Sequence, residues 1–242
     1  MKKLLIIIEI LLNLNYLSEI LPFFLCLLFL KKINSKELKV FFVYTIISVI
    51  FFIISYIASN FYSNYTYVII SISLILQFIF LSILYFSIIR NSIIKKTIII
   101  GVVSYVIFWI YNFSKSSTLE YDFTPLAIEC LFFTFLIVYY FYEIMRYSLD
   151  VQLIQLPSFW ISVAFLINFS GTFILFLFGK SLAEDPSFKS QYLIIVSTIT
   201  IIKNILLCTA IIVNKNLIAP KNHSSLPSDL NLDSFKPFNN QH

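Results

Sequence analysis

The chain is short of the residues on which soluble proteins and most enzymes depend. Three of its 242 residues are glycine (Gly101, Gly171, Gly179), three are cysteine and two are histidine. Charged residues are 12% of the chain, about half the share in a soluble domain. Each shortage excludes something. His223 and His242 both lie beyond the last apolar stretch. An H-E-x-x-H zinc helix is therefore absent, and no Ser–His pair can assemble within the apolar part of the chain. Phe169-Ser170-Gly171 lacks the G-x-S-x-G elbow of a serine hydrolase. There is neither a P-loop nor a dinucleotide fingerprint. Three glycines are few for the broken half-helices on which many transporters build their sites. Cys26, Cys130 and Cys208 each sit inside an apolar run, where they act as small hydrophobes and not as a disulfide framework. No catalytic residue, cofactor or metal is expected.

What is abundant is apolar: 60% of the residues are hydrophobic and the mean hydropathy is +0.92. These residues gather in seven stretches, Leu4–Leu30, Val40–Ala58, Tyr67–Ile89, Ile98–Phe113, Pro125–Met145, Phe159–Gly179 and Tyr192–Asn214. A helix crossing the hydrocarbon core needs about 20 such residues. The chain thus reads as an all-α, polytopic integral membrane protein, a bundle of seven transmembrane helices over residues 1–215. Residues 216–242 are polar, carry Pro220, Pro227 and Pro237, and cannot bury enough surface to fold alone. They are expected to form a disordered cytoplasmic tail, or a docking peptide for a partner. Met1-Lys2-Lys3 before an apolar run suggests a secretory signal, but Glu9 interrupts the run and no small-x-small cleavage site follows. An uncleaved first helix is expected. The 27 Phe and 15 Tyr read first as coding bias of an AT-rich bacterial genome.

Lys and Arg beside the spans mark the cytoplasmic side. Lys31, Lys32, Lys36, Lys39, Arg90, Lys95, Lys96, Arg146, Lys215, Lys221 and Lys236 fall on one side. Lys2, Lys3, Lys115, Lys180 and Lys189 fall on the other. The imbalance favours an outside N-terminus and a cytoplasmic C-terminus. The basic residues orient helices in this way and are not a nucleic-acid signal; the lipid bilayer is the expected partner.

Ionisable groups within the hydrocarbon layer are costly and face inward. Lys203 lies at the centre of the last stretch, too deep to snorkel. Ser197, Thr200, Asn204 and Cys208 form one polar stripe with Lys203 at its edge. In the first stretch Asn15, Ser18, Glu19, Pro22 and Cys26 recur at steps of three and four. Glu19 lies ~18 Å from Lys31 at ~1.5 Å per residue. Pro22 has no N–H to give the Ser18 carbonyl. First and last helices are neighbours in a closed ring, so a Glu19–Lys203 pair is predicted, with Asn204 or Asn15 completing its hydrogen bonds. Such a pair either fixes helix register or holds a ligand, proton or ion.

Other polar positions follow. Glu129, about four residues inside the outer end of the fifth helix, reads as part of an acidic outer vestibule with Glu120 and Asp122, or as a carboxylate reaching the headgroups. Glu143 is expected to reach the inner interface and Arg146. Asn168, Ser170, Gly171 and Thr172 in helix 6 read as close helix packing, with a cavity lining second. Gln77, Thr45, Ser48 and Ser55 read the same way. Trp160, Tyr139, Tyr140, Tyr142 and Tyr147 fit an interfacial aromatic belt.

Seven helices with a lysine in the middle of the last resemble microbial rhodopsins, in which that lysine carries retinal. The resemblance stops at the architecture and that residue. Ile199 stands where the family has an acid four residues before the lysine, and helix 3 offers Ser71, Ser73 and Gln77 in place of carboxylates. Pro157-Ser-Phe-Trp-Ile-Ser, Asn168-Phe-Ser-Gly-Thr-Phe and Leu17-Ser-Glu-Ile-Leu-Pro22 resemble a group of small bacterial seven-helix membrane proteins without an assigned activity. That resemblance implies the fold alone. Two functional expectations stand side by side. One is a non-enzymatic sensory or scaffolding module acting with a cytoplasmic signalling protein. The other is a small proton- or cation-coupled transporter or channel, against which the odd number of spans and the absence of a repeat count.

Overall fold

A computed structural model describes residues 2–32, 35–61, 63–115, 123–147, 153–182 and 186–218. Among these residues there are seven α-helices and no strand: α1 (Lys2–Leu28), α2 (Lys36–Phe61), α3 (Ser63–Ile88), α4 (Ser92–Lys115), α5 (Thr124–Tyr147), α6 (Pro157–Leu182) and α7 (Pro186–Ile218). All seven are long and apolar enough to cross a bilayer. The protein is an all-α, multi-pass membrane bundle. α2, α4, α5, α6 and α7 outrun their apolar stretches at both ends, because helical hydrogen bonding continues into the interfacial layer, where polar side chains are at home; α1 ends at Leu28, two residues inside its stretch. α7 runs to Ile218, three residues into the stretch expected to be a disordered tail; the remainder of that tail lies outside the described residues.

The helix starts follow local chemistry. Ser35 caps α2, its hydroxyl accepting the Leu38 N–H at 3.3 Å, and Glu37 in the first turn favours the positive end of the helix dipole. Asn91 caps α4, its side-chain oxygen accepting the Ile93 N–H at 2.8 Å. Proline opens α6 and α7, where its missing N–H has no helical acceptor to serve. α1 continues through Pro22 without interruption.

The most extensive helix contacts are α6 with α7, α1 with α7, α2 with α3, and α5 with α6. Smaller contacts join α1 to α2, α3 to α5 and α2 to α6. Six helices therefore close a ring in the order α1, α2, α3, α5, α6, α7. The expected neighbourhood of first and last helices is present, but the expected seven-membered ring is not. α4 packs on the outside, chiefly against α3. Within its most apolar window 11% of residues are buried, against 50% for α5.

Aromatic rings fill the centre. Tyr44 on α2 meets Phe165 on α6 edge-on at 5.6 Å, Phe165 stacks near Phe169 at 5.8 Å, and Phe169 stacks on Phe133 of α5 at 5.3 Å. Phe133 touches Phe78 of α3 at 5.0 Å, and Phe78 stacks on Tyr105 of α4 at 3.8 Å. This spine joins five helices. Lipid tails are as apolar as these side chains, so burial alone does not drive helices together in a membrane. Close packing does, and each aromatic pair adds about 0.5–1.5 kcal/mol. Part of the Phe content attributed to coding bias thus carries the core.

Candidate functional site

The structure brings Glu19 and Lys203 together. Lys203 Nζ on α7 lies 3.5 Å from Glu19 Oε1 on α1. The Lys203 side chain is 11% exposed and that of Glu19 24%. Asn204, the next residue on α7, does not complete this pair as expected. Its amide donates to Ser18 Oγ at 3.0 Å, and the Ser18 hydroxyl donates to the Asn15 carbonyl at 2.8 Å. One ionic and one neutral contact therefore join α1 to α7 side by side. Asn15 does not reach the pair either; its Oδ1 is buried without a hydrogen-bond partner.

The ion pair forms part of the wall of a half-enclosed cavity of about 230 Å³. Tyr44, Ser48, Phe51, Phe52 and Ser55 come from α2, and Ser73, Gln77 and Phe80 from α3. On α2 these positions repeat at three- and four-residue steps, so one face lines the cavity for about three turns, or ~16 Å. The cavity runs from the mid-depth pair toward the α2–α3 connection. Its polar groups are Glu19, Lys203, Tyr44, Gln77 and three serines; its apolar wall is mainly aromatic. Below it Tyr44 joins the aromatic spine.

Glu129 is neither at the headgroups nor in an outer vestibule. It is 1% exposed and faces α3, where Gln77 Nε2 donates to its Oε1 at 3.2 Å. Its Oε2 has no hydrogen-bond partner. Gln77 thus lines the cavity with one part of its side chain and holds Glu129 with another. Glu120 and Asp122, the other members of the expected vestibule, lie outside the described residues.

Asn168 does not line the cavity. Its backbone carbonyl accepts the hydroxyl of Thr172, on the same helix α6, at 2.7 Å. A methyl added at Gly171 would lie 2.7 Å from Ile199 Cδ1 of α7, which shows how closely those helices approach. Ala164 is fully buried.

Glu143 differs from expectation. It is 5% exposed and turns away from Arg146 to the connection between α3 and α4. It accepts the Arg90 N–H at 2.9 Å and the Asn91 N–H at 2.9 Å. Tyr139 of the same helix accepts from Asn91 Nδ2 at 2.8 Å. Tyr140, expected in the interfacial belt, is 3% exposed and donates to Ser158 Oγ of α6 at 2.9 Å.

Sequence reasoning missed the two helices that contribute most of the cavity. The signal was present: Tyr44, Ser48 and Ser55 share one face of α2, and Ser73 and Gln77 lie one turn apart on α3. Hydroxyl groups are common in packed membrane helices, so without the ring order this stripe reads as packing. Compared with known proteins, the chain matches no family model, no curated protein and no solved structure. The site's chemistry therefore carries the functional argument alone.

Proposed function

We propose that the protein is a non-enzymatic membrane sensor, which holds a small ligand in the α1–α2–α3–α7 cavity and passes its occupancy to a cytoplasmic partner. The observation that carries this reading is the shape of the site. A polar cavity enters from one side, reaches a mid-depth ion pair, and stands over a ring-packed core that continues across the bundle. A pocket on a packed floor suits binding; transport would further require that floor to open to the opposite side in alternation. In this reading the chain lies in the inner membrane of a bacterium. Its N-terminus is outside and its C-terminus cytoplasmic, so the cavity runs toward the outer face and the tail meets the partner inside.

A second reading, ion- or proton-coupled transport, has one observation in its favour. With α4 outside the ring, the other six helices fall into α1–α3 and α5–α7, and both triplets enter the membrane from the same side. Some transporters are built from parallel repeats of this kind. Reconstitution decides between the two. Proteoliposomes carrying a pH dye and an imposed cation gradient are expected to show no flux above empty vesicles. Pull-down with the full chain, set against a chain ending at Asn216, is expected to lose a partner. Flux that disappears in Glu19→Gln would replace the sensing reading, and an unchanged partner set on truncation would count against it.

A further inference from the structure

Resting on the sensing reading, we infer that the cavity takes a small zwitterion, a primary ammonium and an acidic group a few ångströms apart on a short apolar body. Four observations lead there.

The first is the looseness of the ion pair. At 3.5 Å it is longer than the ~2.7–2.9 Å of a tight ammonium–carboxylate hydrogen bond. A lysine ammonium has three donors and a carboxylate about four acceptor sites. One contact of this length leaves most of that capacity open, and both groups line the cavity. An acidic group entering beside Lys203 and an ammonium entering beside Glu19 convert one loose pair into a closed four-charge arrangement. Neither protein charge is then left alone in the membrane, which is the costly outcome.

The second is the position of the remaining polar groups. Tyr44, Ser48, Ser55, Ser73 and Gln77 follow the cavity away from the pair; Ser73 gives its hydroxyl proton to the Ile70 carbonyl and Gln77 one amide proton to Glu129, which leaves their oxygens as acceptors along the ligand. The third is the aromatic wall. Phe51, Phe52 and Phe80 line the cavity, and ring faces attract an ammonium while also covering an apolar group. The fourth is size. A volume of about 230 Å³ exceeds the ~150 Å³ that admits benzene. A free α-amino acid of medium size fits. A singly charged ligand does not satisfy the site, because it would pair with one wall group and repel the other.

The same chemistry occurs in a phosphatidylethanolamine headgroup, so the test has an arm for each source. The full-length protein in phosphatidylcholine nanodiscs is heated with L-leucine, leucinamide, N-acetylleucine, dihexanoyl phosphatidylethanolamine or dihexanoyl phosphatidylcholine. Leucine is expected to raise the midpoint, by an amount that grows with the logarithm of its concentration. Leucinamide and N-acetylleucine, which keep one charge each, are expected to give at least tenfold weaker effects. A response to the ethanolamine lipid alone would assign the site to a headgroup and keep the zwitterion chemistry. Two variants locate the effect: Glu19→Gln with Lys203→Met removes the charges, and Ser48→Phe fills the cavity; both are expected to abolish the response. Equal responses to all five compounds, or none to leucine and the ethanolamine lipid, would overturn the inference. So would a response that survives in both variants. The flux measurement above fails or succeeds independently. Leucine binding together with flux would sink the sensing reading and keep the ligand; no binding and no flux would do the reverse.

Discussion

Removing Glu19 and Lys203 one at a time and then together tests whether they act as a unit. At 3.5 Å and an effective dielectric of about 20, two unit charges attract by ~5 kcal/mol. Desolvation offsets much of that, so replacing both partners of a buried pair is often neutral, whereas removing one costs about 3–5 kcal/mol. The two single losses differ because their surroundings differ. Glu19→Gln leaves Lys203, whose side chain is 11% exposed; Lys203→Met leaves Glu19, which is 24% exposed and so less enclosed by protein. Glu19→Gln is expected at the upper end of the about 3–5 kcal/mol range and Lys203→Met at its lower end or below. The double variant is expected within about 1 kcal/mol of the parent. A domain of this size loses ~2–4 °C of midpoint per kcal/mol. Glu19→Gln should therefore fall by roughly 8–20 °C, and the double variant should recover most of it. The assay is thermal unfolding of the four proteins in identical nanodiscs. A double variant less stable than both single variants would refute the pairing.

Four further outcomes follow from other contacts. Glu143→Gln keeps the shape but replaces one of the two accepting oxygens with an NH₂, so Arg90 N–H and Asn91 N–H must share the single oxygen that remains; it should cost about 1–3 kcal/mol, with faster amide exchange confined to Arg90 and Asn91. Phe133→Ala removes a fully buried ring touching Phe78, Phe132 and Phe169, and should cost about 3–5 kcal/mol in thermal unfolding. Gly101→Ala sets a methyl 2.5 Å from the Phe132 ring and should cost about 1–3 kcal/mol, restored in part by Phe132→Leu. Ser48→Cys faces the cavity and should react with a small charged thiol reagent at least about tenfold faster than the buried Cys26, Cys130 and Cys208; equal rates would argue against a wet cavity.

Hydropathy reports depth, and depth was legible. All seven helices fall where the apolar stretches lie, and the mid-depth placement of Glu19 and Lys203 led directly to their pairing. Azimuth is another matter. Gln77 and Glu129 lie 52 residues apart, and nothing on either helix alone says that α3 and α5 touch. Glu143 sits near an apparent interface partner, Arg146, one turn away. Its actual partners are backbone groups of another connection, which no side-chain pattern announces. Tyr140 likewise has the composition of a belt residue and becomes a core residue only because Ser158 of α6 faces it. Depth is a property of one segment, whereas these contacts need two segments placed relative to each other.

The crossing that α4 makes outside the ring has a consequence for the direction of threading. In the ring, α3 stands beside α5 and α1 beside α7, and each of these pairs runs in the same direction because an odd number of crossings separates its members. α4 is the return stroke that makes this possible. Without it, α5–α7 would enter from the opposite face, and the Glu143 carboxylate would arrive at the far end of α3 from the backbone it now holds. A helix with little share in the core thereby decides the polarity of half the bundle. Its removal is expected to act on insertion and assembly more than on packing energy, just as omitting one stitch inverts the rest of a seam.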